Sequence, residues 1–556
     1  MDLLAFEHDR PFVLEALRRG EIDYLEHVGE AVEGDFFRRL IHRGVLQRLA
    51  DSYPTPRKKE EVPVWLYLAS ELSLKLHGAQ SHHAFPRALR SGGLIDALGP
   101  KLGGCKTTHP ETGDVTLACP GFNRKNAYDR QTPCDQDFLR KFARDTQEER
   151  LHAWFNRELP RCLRSLKLLD PEGLLLGDAS YLFVPNNPRY AGSDLLWFDE
   201  HNHPVDGQQI DRSDPRYQLR RCYKLVSLVH LNRQLDFFFV VGTRVISGRR
   251  HECPILYELV EGLVNAVGRD VMKILIVDRG LIDGPSMGRL KQEYRIDTIV
   301  PVRTNMDLYV DVIGLTRSRD FCWESYVSSA TPPLPQTIPH QPLRIQKREA
   351  KRQQTLAARK AQMEIPATAP AGIPHTLLGM ERDLRSWNDC PIPLTAVVSR
   401  EVNEAGEYKD WVIVSTSASL TATQIRSNYE LRTAIEERHR QYKCFWDLTH
   451  MHSRVFSLVV NQALFVLLAY TLLQAHLQLR KRQELNRRTC TSVFGLLTPT
   501  LQVVAVYYRQ RFCLFSLAEF AGILLTIAEP ARGKLLEKIN RIEKNLYSLL
   551  ENARSP

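Results

Sequence analysis

The sequence has no C-x2-C pair, and its 11 cysteines are an odd number scattered over 556 residues. Secreted disulfide scaffolds usually pair an even number of cysteines, and structural zinc sites use closely spaced ligands. The grouping that comes nearest to a zinc site is Cys105, His109, Cys119 and Cys134, whose gaps are irregular. We therefore predict reduced thiols in an intracellular protein and do not include zinc among the predicted cofactors.

The sequence also has little that would direct it to a membrane, and we expect neither a secretory signal nor a membrane span. Its first residues, MDLLAFEHDRPF, carry acids where a signal needs basic residues. The most apolar stretch, 455–479, is interrupted by polar groups that a bilayer tolerates poorly. These groups are Asn461, Gln462, Gln474, His476 and Gln478. We predict a cytoplasmic, nucleoid-associated protein of prokaryotic type with no membrane contact, in which this stretch is a buried helix.

Acidic residues do not dominate, because 75 Lys and Arg stand against 65 Asp and Glu, for a net charge of +10. This excess fits a polyanionic partner but is modest for the length of the chain. Hydrophobic residues make up 43% of the sequence, enough for several domains with packed cores. Composition alone therefore allows, but does not establish, a protein that binds nucleic acid.

Hydrophobic patterns divide the chain into four regions. Residues 1–165 and 481–556 have helical patterns, and the first of these is a candidate DNA-binding domain. Residues 166–304 and 421–480 form the core, in which three apolar strands, a helix and a further buried strand predict an α/β fold. This is a ribonuclease-H-like mixed sheet flanked by helices. Residues 305–420 form an insertion with a Pro-rich basic segment and β-strands.

Basic residues occur in two places that could face a polyanion. The N-terminal set is Arg57, Lys58, Lys59, Lys75, Arg87 and Arg90. Each is a candidate phosphate contact, and a solvated basic surface explains each about equally well. The basic segment at 344–360 is either a solvated linker or an element that orders on DNA.

Four polar residues share one face of a predicted helix. Tyr429, Arg432, Glu436 and Lys443 stand at offsets 0, 3, 7 and 14, which places them within an arc of about 60°. The opposite side carries Leu431, Ile435, Tyr442 and Phe445. The pattern predicts one amphipathic helix whose polar face forms the wall of an active site.

Two aspartates lie where a charge is costly. Asp178 is inside the apolar run GLLLGDASYLFV, and Asp278 ends the run ILIV. A divalent metal ion is the strongest partner for such a carboxylate, and Glu436 on a packed helix supplies a further ligand. Oxygen ligands favour Mg²⁺, with Mn²⁺ as a substitute, and two ions suit phosphoryl transfer.

The motifs GDASYL, VDRG and Y-x2-R-x3-E-x6-K, in this order over residues 170–475, resemble those of DDE transposases of the insertion-sequence-four family. The resemblance implies that Asp178, Asp278 and Glu436 are the catalytic, metal-binding triad. It implies that Tyr429, Arg432 and Lys443 bind DNA phosphate near the cut.

The same resemblance implies the partners and the reaction. The partners are double-stranded DNA, both terminal inverted repeats and target DNA, and a second copy of the chain in a dimer on the DNA ends. The reaction is cut-and-paste transposition with hairpin ends. Stacking on a flipped base is also implied, with Trp323, Trp387 and Trp411 as candidates.

Other assignments remain open. Glu437 is turned about 100° from Glu436, and Asp283 lies beyond the strand that Asp278 ends, so both are weaker candidates. His439 shares the polar face, where it could touch DNA, and the prediction favours a solvated helix histidine over that contact. The alternatives in function are a DNA-binding derivative without catalysis and a nuclease that uses a tyrosine with the His450–Met451–His452 motif.

Overall fold

A computed structural model describes the chain in two compact units, Met1–Met272 with Ile435–Pro556 and Lys273–Ala434. The described residues are 7–29, 33–59, 62–76, 78, 81–82, 105–108, 115–118, 136–232, 236–328, 375–403, 407–446, 448–486, 502–509, 511–542, 546–547 and 550. The Pro-rich basic segment, Arg87 and Arg90 lie outside them. The four predicted regions remain predictions, and the compact units divide the chain at other positions.

The first part of the first unit contains mostly helices. Its elements are β1 (Glu7–His8), α1 (Arg10–Arg19), β2 (Tyr24–Gly29), α2 (Glu33–His42), α3 (Val45–Asp51), α4 (Val64–Leu76), β3 (Cys105–Thr108), β4 (Val115–Ala118), α5 (Gln136–Asp145) and α6 (Glu148–Ser165). Helix α4 is buried on all sides from residue 66 to 76. The prediction that Lys75 contacts a DNA phosphate is therefore wrong, because this side chain is 1% exposed and lies 3.8 Å from the buried carboxylate of Glu71.

An antiparallel sheet forms the centre of the first unit. It consists of β5 (Leu174–Val184), β6 (Asp194–Phe198), β7 (Pro204–Val205), β8 (Gln218–Asn232) and β9 (Phe237–Ser247), and α7 (Cys253–Val267) follows. The long strand β8 pairs with β5, β6 and β9. Its residues from 222 to 232 are all buried, as expected for a strand covered on both faces. The predicted three strands and helix are confirmed, and the hairpin of β6 and β7 is an addition to them.

The second unit contains a mixed sheet. Its elements are β10 (Ile274–Val277), α8 (Gly284–Arg289), β11 (Asp297–Pro301), α9 (Asp307–Leu315), β12 (Trp323–Tyr326), β13 (His375–Leu384), β14 (Leu394–Val402), β15 (Tyr408–Ser415) and α10 (Ala422–Glu430). Strands β10 and β11 are parallel, whereas β15, β14, β13 and β12 continue from β11 in antiparallel order. The fold class is confirmed: the protein is α/β, with a mixed sheet flanked by helices and consistent with ribonuclease-H-like order.

Two helices, α11 (Thr433–Cys444) and α12 (Phe456–Leu479), return the chain to the first unit. Among the described helices, α12 is long and apolar enough to cross a membrane, with a mean hydropathy of 1.9, but 94% of its most apolar window is buried in the protein. Its polar groups have partners there. Tyr67 donates to the Asn461 amide oxygen at 2.9 Å, and the Val240 N–H donates to the Thr471 hydroxyl at 3.2 Å. The predicted buried helix is therefore confirmed.

The two ends of the described chain meet in a four-stranded sheet, here called the terminal sheet. The last elements are β16 (Gln502–Tyr508), β17 (Arg511–Ser516), α13 (Leu517–Thr526) and α14 (Glu529–Ile542), and the strand order is β1-β17-β16-β2. Residues from both ends share its core, among them Val13, Leu17, Val506, Phe515 and Leu535. The purely helical pattern predicted for 481–556 is wrong over β16 and β17, whose β-branched and aromatic residues favour strands.

Candidate active site

Asp178 lies in the middle of β5, opposite Ser227 of β8. Its side chain is 15% exposed, and one carboxylate oxygen accepts the N–H of Ala179 at 2.9 Å. A carboxylate with so little water around it needs a cation or further hydrogen bonds. The prediction that Asp178 occupies an apolar strand is thus confirmed. The groups that lie near its carboxylate include those of α11.

One face of α11 packs against this part of β5. His439 Nδ1 lies 3.7 Å from Asp178 Oδ2. One turn further along, the Lys443 ammonium donates to the Ser180 hydroxyl at 2.6 Å. Glu436 precedes His439 by three residues and shares this face, about 4.5 Å further along the helix axis. His439 and Lys443 therefore contact the side of β5 that carries Asp178, whereas Glu436 on the same face of α11 is exposed.

Two of these residues differ from the sequence analysis. His439 was predicted to be solvated, but it is 5% exposed because it is enclosed between α11 and β5. Ser180 was not singled out at all. Its signal was present, since it follows Asp178 by two residues and must share its face of the strand.

The environment of Lys443 changes its ionisation. Burial lowers the pKa of Lys443 to about 8, while the nearby Asp178 carboxylate acts in the opposite direction. The ammonium is consequently charged at neutral pH but loses its proton within the range in which enzymes are commonly assayed.

Side chains on the other faces of α11 hold the helix in place. Arg438 is 1% exposed, lies 3.8 Å from the centre of the Phe238 ring and donates to the Gln441 amide oxygen at 3.2 Å. Tyr470 of α12 donates to the same oxygen at 3.3 Å. Helix α11 is thus fixed to β9 and α12, which restricts the position of Glu436.

The neighbouring acid Glu437 has a different role. Its carboxylate accepts two hydrogen bonds from Arg440, at 2.6 and 2.7 Å. Burial alone would raise the pKa of Glu437, but the Arg440 guanidinium holds it below its usual value. This pair occupies both oxygens of Glu437, which supports the choice of Glu436 as the candidate ligand.

In the second unit, Asp278 stands at the carboxyl end of β10. It follows Val277 directly and begins the short helical turn Arg279–Leu281. Arg432 Nη2 lies 3.6 Å from Asp278 Oδ2, and the Asp278 side chain is 34% exposed. Asp283 instead caps α8 by accepting the Ser286 N–H at 3.0 Å, which is a structural role.

Tyr429 and the tryptophans lie in the second unit. The Tyr429 ring is 5.6 Å from Trp411, which also has the Arg426 guanidinium at 4.7 Å from its ring centre. Trp323 is covered by Arg400 at 4.2 Å. Trp387 is half-buried and accepts the Cys390 N–H through its carbonyl.

The single helix predicted for Tyr429 to Lys443 is wrong, because α10 ends at Glu430 and α11 begins at Thr433. At the junction the Arg432 N–H donates to Tyr429 O, a tighter bond than in an α-helix, and the Thr433 hydroxyl donates to Glu430 O. Such a hydroxyl contact competes with regular helical bonding. Tyr429 and Arg432 therefore belong to the second unit, and Glu436 and Lys443 to the first.

The described residues contain no group of three or more His, Cys, Asp or Glu side chains already gathered to hold a metal ion. The structure instead places Asp178 beside His439 and Asp278 beside Arg432. His450 and His452 of the alternative nuclease motif lie in the connection between α11 and α12, and Gln462 holds this segment through the His450 carbonyl and the His452 N–H. No strand carries this pair.

Comparison with known proteins gives one family. The model of the transposase DDE domain matches residues 190–472, and no curated protein matches the chain. The matched region includes Asp278 and Glu436 and begins twelve residues after Asp178. Since it covers just over half of the chain, this protein belongs to the family defined by the transposase DDE domain.

Proposed function

We propose that this protein is the transposase of an insertion sequence and resembles the insertion-sequence-four group. It binds the terminal inverted repeats of its element and catalyses metal-dependent cleavage and strand transfer, by cut-and-paste. The observation that carries the proposal is the packing of α11 on β5. The face of α11 that carries Glu436 places His439 3.7 Å from the enclosed carboxylate of Asp178, in a chain with a transposase DDE domain.

Asp178, Asp278 and Glu436 are the residues that would hold the metal. DDE transposases typically use divalent metal ions. The donor set suits Mg²⁺, or Mn²⁺ as a substitute, because all three side chains offer carboxylate oxygens and Asp178 is mostly withdrawn from water. Two such ions would activate the attacking hydroxyl and stabilise the leaving oxygen of a phosphodiester. The chain itself supplies the fixed carboxylates.

Tyr429, Arg432 and Lys443 would bind and orient the DNA phosphate beside these carboxylates. Arg432 contacts Asp278, and Lys443 donates to Ser180, which lies two residues from Asp178. Arg432 thus lies beside one proposed metal ligand, and Lys443 lies beside another. A transposase implies DNA as the partner. We propose that a homodimer forms on paired ends, and that target DNA receives the ends after cleavage.

The contribution of Lys443 is expected to depend on pH. A folded-state pKa of about 8 leaves its ammonium charged below pH 8 and neutral above it. Binding of the DNA phosphate by Lys443 should therefore weaken as the pH rises from 7 to 9. Substitution Lys443→Arg, which keeps a charge across this range, should flatten the decline in DNA affinity. Equal declines in wild type and Lys443→Arg would contradict the assignment.

The proposed function is tested by strand cleavage of DNA that carries the sequences flanking the coding region. We expect nicking with Mg²⁺ or Mn²⁺, free 3′-hydroxyl ends, and no reaction after EDTA. A product linked covalently to tyrosine would favour the His450–His452 nuclease instead. Specific binding of the ends without cleavage in either metal would identify a non-catalytic derivative and exclude the proposed reaction.

A further inference from the structure

Arg220 is a partly buried arginine near the start of β8, and no carboxylate of the described residues forms an ion pair with it. Its guanidinium carbon lies 3.3 Å from the centre of the Phe183 ring, so the guanidinium lies flat on the ring. One of its N–H groups donates to the Asn202 side-chain oxygen. A guanidinium has five N–H groups, and those that do not bond to Asn202 remain able to bind an anion.

The acids on the loop that holds Asn202 do not neutralise Arg220. Asp199 accepts the His203 N–H at 2.7 Å, and Asp214 is bonded to the Arg216 guanidinium at 2.6 Å. Every residue of this loop, and of the two strands that it joins, is described. Burial lowers the pKa of Arg220, and no carboxylate of the described residues opposes this shift. The guanidinium therefore carries a positive charge that its own part of the chain leaves uncompensated.

A second cation lies close to Arg220. The Lys443 ammonium donates to Ser180, which precedes Phe183 by three residues on β5. Burial lowers the pKa of Lys443 most, and the positive charge of Arg220 lowers it further. Two cations that are withdrawn from water and repel each other are costly, and a bound anion reduces this cost.

The two cations approach β5 from different faces. Ser180 and Phe183 are three positions apart, and side chains alternate between the faces of a strand. One small anion therefore cannot bridge Lys443 and Arg220. A polyanion with a phosphate at each successive position can contact both, as DNA does.

We propose that Arg220 binds a phosphate of the bound DNA, close to the different phosphate that Lys443 binds. Phe183 fixes the plane of the guanidinium, and a planar set of N–H donors is well suited to phosphate oxygens. This inference rests on the proposed function, since it adds a DNA contact to those of Tyr429, Arg432 and Lys443.

The first experiment measures the affinity of full-length protein for end-bearing DNA at several salt concentrations. All proteins carry Glu436→Gln so that cleavage does not interfere. In Arg220→Gln, we expect the affinity to fall about tenfold and the slope of log K against log salt to decrease by about one, as the loss of one phosphate contact requires.

A second variant tests the charge of Arg220 without removing the side chain. Asn202→Asp replaces the acceptor of Arg220 by a carboxylate of nearly the same shape, so the guanidinium gains an ion pair. This variant should lose about as much DNA affinity as Arg220→Gln while its thermal midpoint does not fall. The control Arg212→Gln removes an exposed arginine of the same loop, which is bonded to Gly207 O, and should bind almost as the parent does.

A third measurement identifies the phosphate. Single phosphates of the end-bearing DNA are replaced, one at a time, by uncharged methylphosphonate. At one position the replacement should weaken binding to the parent about tenfold but leave binding to Arg220→Gln unchanged, because the contact is already lost. Lys443→Gln should show the same insensitivity at another phosphate close by.

The outcomes separate this inference from the proposed function. If the Glu436→Gln parent binds no end-bearing DNA, both are wrong. If the parent binds and Arg220→Gln binds equally well with the same salt slope, only the assignment of Arg220 is wrong. If Arg220→Gln weakens binding by the same factor at every methylphosphonate position, its effect comes from an altered fold, and the inference is overturned.

Discussion

Replacing Glu436 by Gln, or Asp178 or Asp278 by Asn, is expected to reduce strand cleavage by about 10³-fold or more. Each substitution removes the charge of a proposed metal ligand but nearly preserves its shape. Metal ions stabilise the charge that develops in phosphoryl transfer by several kcal/mol, and each 1.36 kcal/mol corresponds to a factor of ten in rate. The rate should be measured on end-bearing DNA at saturating Mg²⁺, and DNA affinity should be measured separately.

The chain offers two matched controls for this prediction. Glu437→Gln neutralises the next residue of α11, whose carboxylate is bonded to Arg440. Asp283→Asn alters an acid close to Asp278 that caps α8. Both should keep most of the cleavage rate. Loss of activity in Glu437→Gln with full activity in Glu436→Gln would show that α11 presents a different acid to the metal.

Acid is expected to destabilise the first unit strongly through His152 and His230. His152 Nε2 accepts the Val245 N–H at 3.1 Å, and His230 Nε2 accepts the Asp170 N–H at 3.1 Å. Burial lowers the pKa of both to about 4. In the unfolded chain a histidine titrates near 6.5, so the unfolded state binds more protons between pH 6.5 and 4. Stability is full above pH 6.5 and falls by about 3 kcal/mol per histidine as the pH drops to 4.

Thermal unfolding between pH 7.5 and 4.5 tests this expectation. The double variant His152→Gln/His230→Gln should be less stable than wild type at pH 7.5, because its packing is disturbed. Its midpoint should then decline less steeply with acid, because neither amide takes up a proton. His201→Gln, at a position with a 69% exposed side chain, should follow the wild-type decline. A double variant that loses stability as steeply as wild type would contradict the prediction.

The sequence was sufficient for the elements that carry the aspartates. The runs around Asp178 and before Asp278 are apolar at consecutive positions, and only strands covered on both faces bury such runs in a few residues. Their lengths and order also gave the mixed α/β fold. The pairing of Asp178 with Ser227 and the contact with His439 required the tertiary structure, because both join residues far apart in the sequence.

The errors of the sequence analysis have three different causes. The helix break at Leu431 and Arg432 occurs in residues with adequate helix propensity, so propensity did not predict it. The contact that accompanies the break is the hydrogen bond from the Thr433 hydroxyl to Glu430 O. Lys75 is buried because α4 is surrounded by other helices. A charged residue in the sequence does not show whether its helix is enclosed in this way. Strand β16 is different, since QVVAVYY carries a β signal that could have been recognised.

The terminal sheet can fold only at the end of synthesis, because it joins strands from both ends of the described chain. Its central strands β16 and β17 are the partners of β2 and β1, which are made by the ribosome nearly 500 residues earlier. Until residue 516 has left the exit tunnel, the edges of β1 and β2 have no native strand to pair with. A translation product that stops before residue 502 lacks β16 and β17 and cannot form this sheet. Premature termination would therefore leave an amino-terminal fragment with unpaired strand edges, which chaperones or proteases would recognise.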